Sequence, residues 1–372
     1  MKKQLNQIDW YLFLFIIPVL GAGLITMKSF TEATPYFSHQ IIWIATSFLI
    51  FFILSSIDFR FLKQTKVLVI LFFIFSFLLI ALFFLGSTVN GAKSWFSFGI
   101  FSFQPSDMMK LVLILILAKY FSRRHVEIRN IKHIFVSGIY AFIPFVLIFL
   151  QPDFGSAMII FFIWFGMALV SGISKKHLLF LIGIMILAFA MLWMFVFAPY
   201  QKARIMSFID PMSDVQGAGY NVYQSTIAVG SGQIFGKGVG FGTQSRLKFL
   251  PEYQTDFIFA AFAEEWGFVG VLLLFILLGL IIWRILHNAL LGGTNFEILF
   301  GLGLSIYFMS HFIINIGMNI GIMPVTGITM PLMSYGGSHL ITEFTGLGIL
   351  MGMRRYNRVA HKDDMRNEFL GI

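Results

Sequence analysis

Along most of this chain apolar residues come in long runs, broken by short polar stretches, and a helix needs roughly 20 mainly apolar residues to cross a bilayer. Ten runs fit that requirement: Trp10 to Lys28, His39 to Ile57, Val67 to Gly86, Asp107 to Phe121, Ile134 to Leu150, Ser156 to Gly172, His177 to Phe197, Phe257 to Leu286, Phe296 to Ile320 and Gly336 to Met353. The pattern predicts an all-α, polytopic integral membrane protein with about ten transmembrane helices. The fourth run is short, and only Ile173 to Lys176 separates the sixth from the seventh. One polar interval is far longer than the others, Ala198 to Thr255. It is expected to form a large loop between the seventh and eighth spans, and long loops in compact proteins are commonly functional.

The basic residues test this partition independently, because short cytoplasmic loops are enriched in Lys and Arg. With the N-terminus inside, the inside segments hold 18 of the 26 Lys and Arg residues, while the short outside loops hold only Lys28 and Lys93. Lys110 falls within the fourth span, and the rest lie in the long loop, whose translocation depends little on charge. Both termini are therefore expected in the cytoplasm, with 198–255 on the extracytoplasmic side and 354–372 as a cytoplasmic tail. The opening MKKQLNQIDW leads into an apolar run without a small-residue cleavage site, which favours a retained first span over a cleaved signal.

Composition agrees: the 372 residues are 58% hydrophobic and 12% charged, against about 25% charged in a soluble domain. The net charge of +9 is dispersed between apolar runs, which reads as membrane topology and not as a nucleic-acid groove. With no Cys, thiolate metal sites, disulfides and a Cys nucleophile are excluded.

Within the loop, Gly217 to Gln233 has the character of a short interfacial helix, whereas the glycines from Gly236 to Gly242 are too dense for one. The segment GSGQIFGKG invites a phosphate-loop reading. The pattern G-x-x-x-x-G-K-[ST] fails at Ser231 and at Gly238, and no serine-hydrolase or zinc motif occurs. Arg246, Lys248, Glu252 and Asp256 lie close together ahead of the eighth span. Such a group could hold an anionic lipid headgroup while one carboxylate removes a proton; equally, Asp256 could simply cap the helix.

Three other constellations carry polar groups at span ends. In QPSDMMK, Pro105 fits the first helical position, Ser106 or Asp107 can cap, and Asp107 and Lys110 share a helix face. A lysine inside a span calls for a partner or water, so the pair is either structural or a cationic contact for a phosphate. In QPDFGS, Asp153 is either an N-cap or a residue lining the same cavity as Lys110. From Pro324 to Ser338 two prolines and a glycine pair predict a rigid non-helical loop, either a packing plug or a source of hydroxyls such as Ser334 for a polar cavity. Glu264, Glu265 and Glu343 read as buried hydrogen-bonded residues, and His311 and His339 as isolated packing residues.

In this order, QPSDMMKL, QPDFGSA, DPMSDVQGAGYNVYQSTIAVGSGQIFGKG, GTQSRLKFLPEYQTDFIFAAFAEEWG and PVTGITMPLMSYGGS resemble the SEDS family (shape, elongation, division and sporulation), polytopic peptidoglycan polymerases that include RodA and FtsW. GTQS and the DP..D..GAGYN run are similar to the RodA branch. The resemblance implies an enzyme that polymerises lipid II at the outer face of the cytoplasmic membrane, for elongation and shape, alongside a class B penicillin-binding protein that crosslinks the glycan. It places the family's essential aspartate on Asp256, its QPSE..K pair on Asp107 and Lys110 with Asp for the usual Glu, its QPD aspartate on Asp153 and its loop arginine on Arg204. His339 stands where the family commonly has a small hydroxyl residue. Asp256 is then the expected catalytic residue, with Lys110, Asp107, Asp153, Arg204, Lys248, Glu252 and Ser334 expected around the substrate. No cofactor is assigned, a divalent cation (Mg or Mn) is a candidate helper, and no nucleic acid is expected. The competing readings are a lipid II flippase and a non-enzymatic scaffold for a transpeptidase.

Overall fold

A computed structural model describes residues 8–29, 36–89, 92–99, 101–123, 131–197, 201–202, 205–206, 208, 210, 218–247, 249–250 and 252–370. All ten apolar runs are helical. They correspond to α1 (Trp10–Ser29), α2 (Tyr36–Ser55), α3 (Thr65–Leu85), α4 (Pro105–Ser122), α5 (Ile131–Phe149), α6 (Phe154–Val170), α7 (Lys175–Met191), α10 (Ile258–Leu290), α11 (Asn295–Asn319) and α12 (Gly337–Leu370). Between α7 and α10 lie two shorter helices, α8 (Ala218–Ser231) and α9 (Thr243–Arg246). The interfacial helix expected over Gly217 to Gln233 is thus α8, and Gly236 to Gly242 is non-helical, as expected.

Among the described residues seven helices are long and apolar enough to cross a membrane: α1, α2, α3, α5, α7 with the π-turn that follows it, α10 and α11. The apolar α6 is shorter. The remaining two runs fall on α4, which carries Asp107, Lys110 and Lys119, and on α12, whose C-terminal half is charged. The chain is a multi-pass membrane protein.

Hydropathy did not foretell a small antiparallel sheet, β1 (Ser87–Val89), β2 (Ala92–Phe98) and β3 (Phe101–Phe103), paired in that order between α3 and α4. Ser97 stands opposite Ser102, and Phe96 opposite Phe103. The aromatic-rich run SWFSF suits a strand, but a window sized for spans counts it only as apolar.

Helices α4 and α11 form the centre. Apolar nearly all round its circumference, α4 is buried along most of its length, as a helix surrounded by others must be. It packs on α11, α3, α6 and α5, while α11 also meets α10, α6 and α12. Along α2 runs α12, where Gly337 lies against the Trp43 ring and Gly348 against the main chain of Phe51. Small residues at such crossings let backbones approach closely, which drives helix association where hydrophobic burial cannot. By contrast α7 buries none of its apolar window. Large apolar side chains point outward from the periphery, among them Phe73, Phe77 and Phe84 of α3.

Polar clusters close both ends. At one end buried Asp9 accepts from Arg284 Nη2 at 2.6 Å, Arg284 Nε at 2.9 Å and Asn288 Nδ2 at 2.7 Å. Arg354 bonds Asn288 there, and Lys63 pairs with Glu297 at 2.7 Å. Residues assigned to one side of the membrane by charge counting therefore do gather at one end of the bundle. The other end carries the 218–257 segment, the starts of α4, α6 and α12, and the loop 320–336.

Candidate functional site

Asp256 sits in the tight turn 252–257 immediately before α10, partly exposed. It is not a helix cap: the N-cap of α10 is Phe257, and no side chain caps it. Its main chain is held from across the core. Asn315 and Asn319, one turn apart on α11, both donate their Nδ2 to the Asp256 carbonyl, at 2.9 and 3.0 Å. Asn315 Nδ2 also reaches the Ile328 carbonyl at 2.7 Å, and Asn319 Oδ1 accepts from Ala260 N at 3.1 Å. The carboxylate lies over Gly327, where a Cβ would stand 3.5 Å from Oδ2. Gly327 has φ +74, a conformation glycine adopts without steric cost.

The loop 320–336 binds this turn to the rest of the site. Ser334 Oγ donates to the Thr255 carbonyl at 2.6 Å and accepts from Met330 N at 2.8 Å, and Tyr335 N donates to the Gln254 carbonyl at 2.9 Å. Ser334 thus staples this loop to the Asp256 turn, its hydroxyl proton committed to the Thr255 carbonyl. From α2, Gln40 Nε2 holds the Ser334 carbonyl at 3.1 Å. Gly155, at the start of α6, abuts the Thr326 carbonyl and Ile328 with no room for a Cβ. The loop expected to be rigid is fixed from several elements.

Gln104 joins three span ends. Its Nε2 donates to Asp153 Oδ2 at 2.9 Å, and its main-chain N donates to Ser338 Oγ at 3.0 Å. It is also the N-cap of α4, with Pro105 next, so neither Ser106 nor Asp107 takes the capping role. Asp153 does cap α6, accepting from Ser156 N at 3.0 Å. It also belongs to the same electrostatic neighbourhood as Lys110 and Asp107: burial pushes its carboxyl up, the Ser156 bonds and Lys110 pull it down, and burial prevails. Lys110 is 1% exposed and pairs with Asp107 Oδ1 at 2.9 Å. A lysine inside a span needs such a partner, and the pairing shields it from direct contact with solvent.

His339 and His311 are not isolated. His339 Nδ1 lies 3.2 Å from the Tyr307 hydroxyl and 3.8 Å from Asp107 Oδ1, its Nε2 is 3.1 Å from Glu343 Oε1, and the His311 ring packs on it at 4.5 Å. Glu343 lies one turn from His339 on α12, but Asp107 of α4 and Tyr307 and His311 of α11 are distant in sequence, so local reading could not find them.

The long loop is organised by Glu264 of α10. Its fully buried carboxylate accepts from Lys237 Nζ at 2.7 Å, Thr243 Oγ1 at 3.1 Å and Gln244 N at 3.0 Å. Glu265 Oε1 accepts from Gly240 N at 2.6 Å. Around Gly267 (φ 64, ψ −167) the α10 ladder opens to the loop: Phe268 N donates to Gln233 O at 2.8 Å and Lys237 N to Glu264 O at 3.0 Å. Lys237 of the near-miss phosphate motif is therefore a clamp on Glu264. Glu252 is exposed and receives the Thr255 hydroxyl at 3.1 Å, and Arg246 is exposed on α9. Arg204 and Lys248 lie outside the described residues.

The arrangement gathers Asp256, Asp153, Gln104 and the loop 320–336 at one end of the bundle, with the Asp107–Lys110 pair beneath. Among the described residues no three His, Asp or Glu side chains converge as a metal site. The residues missed from sequence were Gln104, Asn315 and Asn319. Two asparagines four apart in an otherwise apolar span were the available signal, since polar groups there carry structure or function.

Comparison with known proteins places these features. The profile of the Cell cycle protein family (FtsW, RodA and SpoVE) matches residues 5–359. Peptidoglycan glycosyltransferase MrdB of Escherichia coli K12 is 39% identical over 289 residues, 77% of each chain. Among solved structures, one from a study of how a peptidoglycan synthase complex coordinates polymerization and crosslinking superposes with TM-score 0.80 at 30% identity, covering 93% of this chain and 97% of that one. The Thermus thermophilus rod shape determining protein RodA superposes with TM-score 0.70 at 29% identity, covering 93% and 96%. This chain belongs to the FtsW/RodA/SpoVE family, the SEDS proteins, with its resemblance on the RodA-like side.

Proposed function

We propose that this chain is a peptidoglycan glycosyltransferase that polymerises lipid II into β-1,4-linked glycan strands by inverting transfer, with Asp256 as general base. The carboxylate of Asp256 takes the proton of the acceptor GlcNAc 4-hydroxyl as that oxygen attacks the anomeric carbon of the donor MurNAc. The bond from that carbon to the pyrophosphate oxygen breaks, and undecaprenyl pyrophosphate leaves with the electron pair. The leaving group needs no protonating acid, so one carboxylate suffices.

The observation that carries this reading is the setting of Asp256. Its side chain is partly exposed while its carbonyl is held by two asparagines from another helix, the rigid placement a base requires to meet its proton at hydrogen-bond distance. Positive charge for the developing pyrophosphate comes in this reading from Lys110, Arg204 and Lys248, Lys110 acting through its field or after the cluster opens. Asp107 holds Lys110, Asp153 and Gln104 line the acceptor side, and Glu252 guards the entrance to the turn.

Charge placement supports cytoplasmic termini and an extracytoplasmic 198–255 loop in the inner membrane, which puts Asp256 on the side where lipid II is consumed. A class B penicillin-binding protein is the partner that crosslinks the product. In detergent, where sidedness is lost, purified protein with that partner should convert lipid II to glycan chains, and Asp256→Asn should lower the rate by about 10²- to 10⁴-fold without shifting the thermal midpoint. A wild-type rate in the variant would remove Asp256 from the mechanism. Absence of glycan from the wild-type protein would favour a flippase or a scaffold.

A further inference from the structure

The buried cluster beneath the site contains more acid than the Asp107–Lys110 pair by itself can balance. From α4 come Asp107 and Lys110, from α11 Tyr307 and His311, and from α12 His339 and Glu343. Asp107 is 2% exposed, Lys110 1%, His339 6% and Glu343 0%. Two carboxylates facing one lysine leave a net negative charge in the membrane-spanning core, and an uncompensated buried charge is costly. His339 stands between the two acids, one ring nitrogen 3.8 Å from Asp107 Oδ1 and the other 3.1 Å from Glu343 Oε1. A protonated His339 closes the balance at two acids and two bases.

The cluster also reaches the candidate base. Both Glu343 oxygens accept from Leu332 N, at 3.3 and 3.1 Å. Leu332 has φ 61, a left-handed conformation that a branched side chain adopts only when its surroundings enforce it. Two residues further on, Ser334 Oγ donates to the carbonyl of Thr255, next to Asp256. The path from α4 to the base thus runs through His339, Glu343, Leu332 and Ser334.

We infer that His339 is a positioning residue, a buried cation shared between Asp107 and Glu343 that lets Glu343 hold the loop 320–336 against the Asp256 turn without leaving an uncompensated acid in the core. This inference rests on the glycosyltransferase reading above and adds a residue to it. It makes an asymmetric demand on substitution. Without His339 one acid loses its counter-charge; without Glu343 the histidine can release its proton and leave the cluster neutral, and a glutamine oxygen still accepts from Leu332 N.

The test compares His339→Gln, Glu343→Gln and the double variant for lipid II polymerisation in detergent with the partner present, alongside thermal midpoints. His339→Gln is expected to lower the rate about tenfold and Glu343→Gln, which weakens the bond to Leu332 N without stranding a charge, by about threefold, while the double variant is no worse than Glu343→Gln, the second substitution rescuing the first. A double variant as impaired as His339→Gln, or worse, overturns the inference by showing that only packing was lost; so does His339→Gln at the wild-type rate. If His339→Gln fails to fold, folding of the double variant supports charge compensation and its failure overturns it. Asp256→Asn run in parallel separates the levels: an active Asp256→Asn defeats the catalytic reading, whereas an inactive one with no rescue defeats only the role of His339.

Discussion

Asn319 donates its side-chain amide to the Asp256 carbonyl at 3.0 Å while its own oxygen accepts from Ala260 N at 3.1 Å. One buried side chain of α11 thereby fixes both the residue proposed as base and the first turn of the helix that follows it.

Replacing Asn319 by Ala leaves the Ala260 N–H without its side-chain partner and removes one of two donors from Asp256. Each buried polar group left unpaired costs about 1 to 3 kcal/mol, and misplacing a reacting group by an ångström can cost about a hundredfold in rate. The expected result is a lowered thermal midpoint with polymerisation down by about tenfold or more, at intact lipid II binding. Equal losses of binding and turnover would show that the whole site had collapsed.

Lys110→Met strands the Asp107 carboxylate in the bundle, and breaking a buried ion pair from one side costs about 3 to 5 kcal/mol. Adding Asp107→Asn removes that stranded charge. The double variant should recover most of the stability lost by Lys110→Met while remaining poor at polymerisation, as measured by thermal unfolding and by glycan yield. Recovery of both would make the pair purely structural.

Burial raises the Asp153 carboxyl above the ordinary aspartate range despite the Ser156 bonds and Lys110. A carboxyl with a raised folded-state pKa holds its proton more tightly folded than unfolded. Its contribution to stability is therefore greatest below the unfolded pKa and falls as pH rises through the folded one. Asp153→Asn keeps an oxygen for Ser156 N and does not titrate, so its thermal midpoint relative to wild type should improve from about pH 4 to pH 7. A constant difference across that range would show that Asp153 does not titrate differently in the folded chain.

Gly267 takes φ 64 and ψ −167, and a Cβ there would stand 2.7 Å from the Ile234 carbonyl and collide with Gly236. That backbone region belongs almost solely to glycine, with strain of about 1 to 3 kcal/mol for other residues before any collision. Gly267→Ala should loosen the 233–245 segment from α10, seen as faster limited proteolysis within it. Unchanged proteolysis would mean that the Glu264 clamp holds the loop without the kink.

Apolar runs determined the ten helices, because a helix that faces lipid or other apolar helices must be apolar over its whole length, a property readable one segment at a time. Charge spacing sorted the ends of those helices into two sets, and the motif series pointed to Asp256, Asp107, Lys110 and Asp153. What the chain could not declare locally were partnerships across helices. Gln104 meets Asp153 over 49 residues, Asn319 meets Asp256 over 63, and Ser334 meets Thr255 over 79. His339, apparently alone in its span, acquires Asp107 and Tyr307 only when α4, α11 and α12 pack together. Hydropathy depends on what each residue is, whereas hydrogen bonds and ion pairs depend on which residues are brought within about 3 Å. The sequence therefore determined the helices and shortlisted the carboxylates; tertiary packing decided which were pinned, which were neutralised, and which remained exposed.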